Sequence, residues 1–138
     1  MEIMRRDLSR YRFDRAKLER NEALESYDRC NYYRAIVSSY YAMFHAVRSI
    51  LAFDGFDAKE HATVIGYFNK NYVAAGTFEK GYAKLLTSAF DMRHNSDYKD
   101  FYTATQEDAL EQVLAAKAFV DAVEKYLLSN HYSDEELK

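Results

Sequence analysis

Three groups of residues in this chain carry side chains able to hold anions or move protons. The first is Tyr41, His45 and Arg48. Spacings of four and three put a phenol, an imidazole and a guanidinium on one face of a helix. That face borders Phe44, so an imidazole or guanidinium buried there requires a polar partner. The set reads either as a hydrogen-bonded packing network or as the wall of a groove beside a ligand. The second is His61, near the expected start of a later helix, where an imidazole can meet solvent or an anion. A plain surface histidine is the alternative. The third is Arg93-His94-Asn95-Ser96-Asp97-Tyr98, six consecutive residues with six different polar functions. They fall where a helix is expected to end, and a cation there suits the helix dipole. Asp97 is placed for a bidentate pair with Arg93. One reading is a capping network. The other is a phosphate contact by Arg93, with His94 or His45 as proton carrier. His131 falls in a polar tail and has no assigned role.

Helices must position these groups. The chain has no Pro and only 4 Gly, too little punctuation for a turn-rich β fold. The first apolar stripe runs from about Asp7 to Tyr27 through Leu8, Tyr11, Arg15, Leu18, Glu22 and the Ala23–Leu24 pair. This predicts a helix docked on that side. Asn31 is the expected cap of a second helix, Tyr32 to Phe53. Its Ile36, Tyr40, Met43, Phe44, Val47, Ile50 and Leu51 recur at helical spacing, and Ala35, Ser38, Ser39, Ala42 and Ala46 admit close neighbours. This is the expected central helix. Gly55 is placed to stop it at positive φ. Asp57 and Glu60 resemble a capping box for a third helix, about Ala58 to Val73. A fourth is expected from Phe78 to Arg93 and a fifth from about Thr105 to Leu128. The predicted fold is all-α: an up-and-down bundle of four main helices plus a short one. One domain is expected over 1–138, with its core at about 7–128 and a frayed polar tail from Ser129 to Lys138.

Charge and composition exclude several classes of function. Lys plus Arg number 19 against 22 Asp plus Glu, a formal charge of −3, so a generally basic nucleic-acid coat is excluded but a local patch is not. Cys30 is the single cysteine, which removes internal disulfides and multi-cysteine metal sites. This predicts a cytoplasmic protein. The N-terminal residues have no apolar signal-peptide core, and no stretch approaches 18 apolar residues, so neither a signal peptide nor a membrane span is expected. No H-E-x-x-H, paired E-x-x-H helices, P-loop or G-x-G-x-x-G occurs, so no metal and no cofactor is expected. Thirteen Tyr and 9 Phe exceed what a bundle of this size hides, especially at Tyr32–Tyr33 and Tyr40–Tyr41. The excess suits a helix–helix dimer interface or base stacking.

The run Asn31-Tyr32-Tyr33-Arg34-Ala35 followed by Ser39-Tyr40-Tyr41-Ala42-Met43-Phe44-His45-Ala46-Val47-Arg48 resembles the central helix of HEPN domains. Lys59-Glu60-His61, Phe68-Asn69-Lys70 and Arg93 to Tyr98 extend the resemblance over about Arg12 to Leu128, closest to small stand-alone prokaryotic members. The resemblance implies a helical bundle, usually a homodimer, often paired with a minimal nucleotidyltransferase antitoxin. Many members are ribonucleases or toxins with an Arg, a polar residue and a His a few positions on. Arg93 and His94 match the first two, but Tyr98 stands where the distal His is expected. Arg93, Asp97 and Tyr98 are carried over as the signature. A phenol has a reference pKa near 10 and is a poor base at neutral pH, unlike an imidazole near 6.5.

These observations predict a nucleotide- or RNA-binding module, the HEPN component of a two-gene toxin–antitoxin-like system, catalytically weak or inactive. Its expected ligand-binding residues are Tyr41, His45, Arg48, His61, Arg93 and Asp97, with Arg93, His94 and Tyr98 as the possible catalytic set. One alternative is a metal-independent endoribonuclease toxin using Arg93 with His94 or His45. The other is a purely structural dimeric partner protein.

Overall fold

The computed structural model describes residues 2–98 and 102–132. Its elements are α1 (Glu2–Asp28), α2 (Tyr32–Leu51), α3 (His61–Phe68), α4 (Lys80–Tyr98) and α5 (Gln106–Asn130). The expected all-α bundle of four long helices and a shorter one is what forms. The second helix starts as the sequence predicts, with the Asn31 side chain accepting from the Arg34 amide at 3.2 Å. Its last turn tightens into a 3-10 segment, Ala52–Asp54, and Gly55 at φ +68° ends it. Glycine favours that corner because its φ is positive, and a Cβ there would lie 2.9 Å from the Arg5 guanidinium, which would have to shift.

The central position of α2 follows from its small residues. Ala35, Ser38, Ser39, Ala42, Ala46 and Ser49 are all buried, which lets α1 and α5 approach closely. Tyr40, Met43, Val47, Ile50 and Leu51 fill the space between, against Phe13 of α1, Phe68 of α3, Leu86 of α4 and Phe119 of α5. Each fully buried side chain of this size contributes about 1.5–3 kcal/mol through apolar burial. This core fixes the mutual height of the helices, and with it every polar side chain that α2 presents.

Four expectations are corrected. Ala23 of the expected stripe is buried, but the first helix otherwise turns a different face inward: Ser9, Arg12, Phe13, Ala16 and Ser26 are buried, while Leu8, Tyr11 and Leu18 remain exposed. Arg12 is inside because two acceptors meet its guanidinium, the Arg48 carbonyl at 3.1 Å and the Asp57 carboxylate at 3.3 Å. Asp57 is therefore an ionic partner and not half of a capping box. Its Oδ2 also accepts from Arg48 at 2.8 Å, and α3 begins later, at His61. Residues Asn69–Val73 then continue as a π turn. The stretch Arg93 to Tyr98 is helical and not a loop, so α4 runs one turn beyond the expected end. Finally, the chain stays packed past Leu128: Tyr132 is buried and hydrogen-bonded to Ser9, and His131 stacks on Phe53 at 3.8 Å. The rest of the polar tail lies outside the described residues.

The fifth helix starts as expected, Thr105 Oγ1 accepting from the Asp108 amide at 3.1 Å. No helix among the described residues is long and apolar enough to cross a membrane.

The corrected face of α1 separates two substitutions that look alike in sequence. Phe13→Ala is expected to cost about 3–5 kcal/mol, the usual range for emptying a buried aromatic site. Leu18→Ala, on the exposed face, is expected to stay within about 0.5 kcal/mol. Urea unfolding of both variants checks the assignment.

Candidate functional site

Arg93 lies one turn before the end of α4, and its guanidinium turns toward α2. It donates to the Tyr41 hydroxyl at 3.1 Å and pairs with the Asp97 carboxylate, four residues on, at 3.1 Å. The guanidinium carbon also lies 5.5 Å from the Tyr41 ring centroid. Asp97 is held in turn by the Tyr33 hydroxyl, which donates to its other oxygen at 2.7 Å. Tyr33, Tyr41, Arg93 and Asp97 thus join the N-terminal half of α2 to the C-terminal half of α4. The Arg–Asp pair does not seal the guanidinium away, because the side chain retains 27% exposure and lines an open groove of about 440 Å³.

Tyr41, His61, Arg93 and His94 line that groove together, with Lys59, Glu60 and Phe90. His61 enters from the first turn of α3. Its ring stacks on Phe44 at 4.0 Å, and its Nδ1 lies 2.8 Å from the hydroxyl of Tyr40, which is fully buried. Burial lowers the pKa of His61, the positive charges of Arg93 and Arg48 lower it further, and Glu60 opposes them. The balance of these effects favours the neutral ring.

His45 and Arg48 occupy a neighbouring part of the same surface. They do not line the groove that Arg93 enters. The His45 ring lies 6.0 Å from Tyr41 and 6.2 Å from Phe44, with a buried Nδ1 that has no hydrogen-bond partner among the described residues. Burial, followed by the charges of Arg15, Arg48, His61 and Arg12, lowers its pKa to about 4. Every charged group acting on it is basic. Arg48 is drawn to Asp57 on the side facing α1, where burial pushes the carboxyl up. Hydrogen bonds from Arg48 and the Ala58 amide, with the charges of Arg48 and Arg12, outweigh this and hold it below the ordinary carboxylate range.

The imidazole beside Arg93 is therefore His61, and not the His45 of the central helix. The residues brought into one groove are Tyr41, His61, Arg93 and His94, with Asp97 behind Arg93. The side chain of Tyr98 lies outside the described residues. Sequence reading missed three contributors: Tyr40 as the partner of His61, Asp57 as the counter-ion of two arginines, and Tyr33 as the brace of Asp97. Local spacing signals none of these contacts, which join residues 9 to 64 positions apart.

A larger groove, about 640 Å³, runs between α4 and α5. It is lined by Lys84, Asp91 and Asp108, among others, and contains none of the expected site residues. Two carboxylates beside one lysine make it a poor anion site. The Arg93 groove is lined by Lys59 and Arg93 with the single acid Glu60, and Asp97 stands behind Arg93 as its ion-pair partner.

The HEPN domain model matches residues 9–126. The chain belongs to the HEPN domain family. Among similar proteins is a candidate toxin of Methanocaldococcus jannaschii, 32% identical over 96 residues, covering 70% of this chain and 71% of that protein. A second candidate toxin of the same organism is 25% identical over 111 residues, 80% of this chain and 76% of that protein. A UPF0332 protein of Thermotoga maritima is 29% identical over 114 residues, 83% of this chain and 80% of that protein. The matched HEPN segment contains all of Tyr33, Tyr40, Tyr41, His45, His61, Arg93 and Asp97.

The pKa of His45 gives this HEPN domain a defined acid response. Its folded-state value, about 4, lies below the ordinary 6.5. Between those values the unfolded chain binds a proton that the folded chain excludes. The contribution of neutral His45 is therefore complete above about pH 6.5 and is lost as pH falls toward 4. NMR titration should place the His45 ring midpoint near 4. His45→Gln should flatten the rise of stability with pH across that window, measured by urea unfolding at several pH values.

Proposed function

We propose that the groove at Arg93 binds phosphate-bearing ligands, nucleotide or RNA, and that this chain is the HEPN component of a two-gene toxin–antitoxin-like system. The observation that carries the reading is the meeting of the Arg93 guanidinium, the Tyr41 phenol and the His61 imidazole in one open groove. A guanidinium offers a planar set of donors matched to phosphate oxygens. A half-buried phenol beside it can take the face of a base or the edge of a ribose. Similarity to two candidate toxins supports the toxin-like setting. A homodimer and a nucleotidyltransferase partner belong to the same proposal.

The reading is of binding with little or no cleavage. Ribonuclease chemistry through a ribose 2′-hydroxyl requires a group that removes a proton and one that supplies a proton to the leaving oxygen. His45 is neutral but stands outside the groove, and its buried Nδ1 is turned from solvent. His94 favours the second reading, a metal-independent endoribonuclease, because it lines the groove next to Arg93.

Arg93→Ala is expected to weaken binding of a fluorescent oligoribonucleotide by roughly 10-fold or more, since hydrogen bonds from a charged donor contribute about 1.5–3 kcal/mol. Binding by the unaltered protein should fall with added salt, and the variant should show a shallower salt slope. Fluorescence anisotropy at several salt concentrations measures both. Cleavage of the same RNA in EDTA that disappears in Arg93→Ala would replace this reading with the endoribonuclease one.

A further inference from the structure

We infer that Tyr40 is a positioning residue that fixes the tautomer of His61, so that the neutral imidazole offers its Nε2–H to a phosphate oxygen beside Arg93 and is a donor and not a base. The inference rests on the phosphate-binding reading of this groove and assigns two residues their roles within it.

The geometry starts from burial. Tyr40 has no exposed surface, and its ring is enclosed by Tyr41, Phe44, His61 and Phe90. A buried hydroxyl proton needs an acceptor, since an unmet polar group costs about 1–3 kcal/mol. Among the described residues the one hydrogen-bond partner of the Tyr40 hydroxyl is His61 Nδ1, at 2.8 Å. Burial raises the pKa of Tyr40, with the Tyr41 phenol adding to the rise and Arg93 opposing it, so the hydroxyl keeps its proton.

A neutral imidazole has one N–H and one bare nitrogen. If Tyr40 donates, Nδ1 is the bare nitrogen and the ring proton resides on Nε2. The reverse arrangement, with Nδ1–H donating to the phenol oxygen, leaves the phenol proton without an acceptor inside the bundle. The two tautomers therefore differ by one buried hydrogen bond. Stacking of the ring on Phe44 at 4.0 Å opposes rotation that would exchange the nitrogens. With Nδ1 turned into the bundle, Nε2 is on the far side of the ring, and the ring lines the groove that holds Arg93.

An Nε2–H beside a guanidinium makes a two-donor cradle that requires no proton uptake. A protonated histidine there would have to form against burial and against the charges of Arg93 and Arg48, with Glu60 alone favouring it. The same lock withholds Nε2 from accepting a proton from a ribose hydroxyl.

The chain has only 4 His, so the ring nitrogens can be assigned one by one with single variants. Long-range proton–nitrogen NMR of the unaltered protein, free of ligand, should show His61 protonated at Nε2 and bare at Nδ1. A His61 ring carrying its proton on Nδ1 would overturn the inference without touching the phosphate reading. Inorganic phosphate is the second probe, followed by shifts of the His61 ring signals. Loss of the hydrogen bond in Tyr40→Phe should produce a mixed tautomer and weaken phosphate binding by about 5-fold, one neutral hydrogen bond's worth. His61→Gln, whose amide also donates, should bind phosphate more tightly than His61→Ala. Phosphate binding that depends on Arg93 but is equal in the Gln and Ala variants would overturn the donor role alone. Failure of the unaltered protein to bind phosphate at all would overturn both the donor role and the reading beneath it, while the ligand-free spectrum still decides the tautomer.

Discussion

The central helix is enclosed by its neighbours along most of its length, and that enclosure governs everything polar in the bundle. Thirteen of its 20 residues are buried, so its larger polar side chains lose water and depend on groups from neighbouring elements. Tyr40 is met by α3, Tyr41 by α4, and Arg48 by the segment before α3. Each contact also ties two elements at a set height. The site is thus the set of answers that three elements give to the polar demands of a fourth. Where an answer is missing, as at His45 Nδ1, the group stays neutral.

The positive character of this face arises from the same enclosure. Arg12 and Arg48 share a single carboxylate, Asp57, so two cations are balanced by one anion. Arg93 has its own carboxylate in Asp97. Summed over the whole chain the charge is negative, but charges within a Debye length of about 8–10 Å dominate what an approaching anion meets. Burial of His45 and His61 in this field favours their uncharged forms, which limits repulsion within the cluster. The result is a surface that sets guanidinium groups beside imidazoles whose burial favours the uncharged form.

Much of the architecture was legible because it depends on local rules. Asn31 caps, Gly55 stops, and the apolar repeat of α2 identifies the core helix. The inner face of α1 was not legible. Leu8, Tyr11 and Leu18 make the better stripe, yet Ser9, Arg12 and Ser26 are buried. Close approach of α2 favours small residues there, and Asp57 makes a buried arginine tolerable. The role of Asp57 was hidden for the same reason: local sequence offered it as a cap, but guanidiniums 45 and 9 positions away compete for its oxygens. Arg93, His61 and Tyr41 were named from sequence as site residues, and the structure places them together. The choice between His45 and His61 required knowing that α3 lies over Tyr40 and Phe44, which no spacing within α2 encodes.

The Arg93–Asp97 pair has a consequence for which anions the groove would admit. The two residues are a helical turn apart, so the carboxylate is always at hand and acts as a resident competitor for the guanidinium. Chloride or an incoming carboxylate offers little that Asp97 does not already provide. A group with more oxygens and greater negative charge can engage Arg93 without displacing its neighbour completely. Under the proposed phosphate reading, the intramolecular rival would set a threshold, sorting anions by strength before shape has any part in the choice.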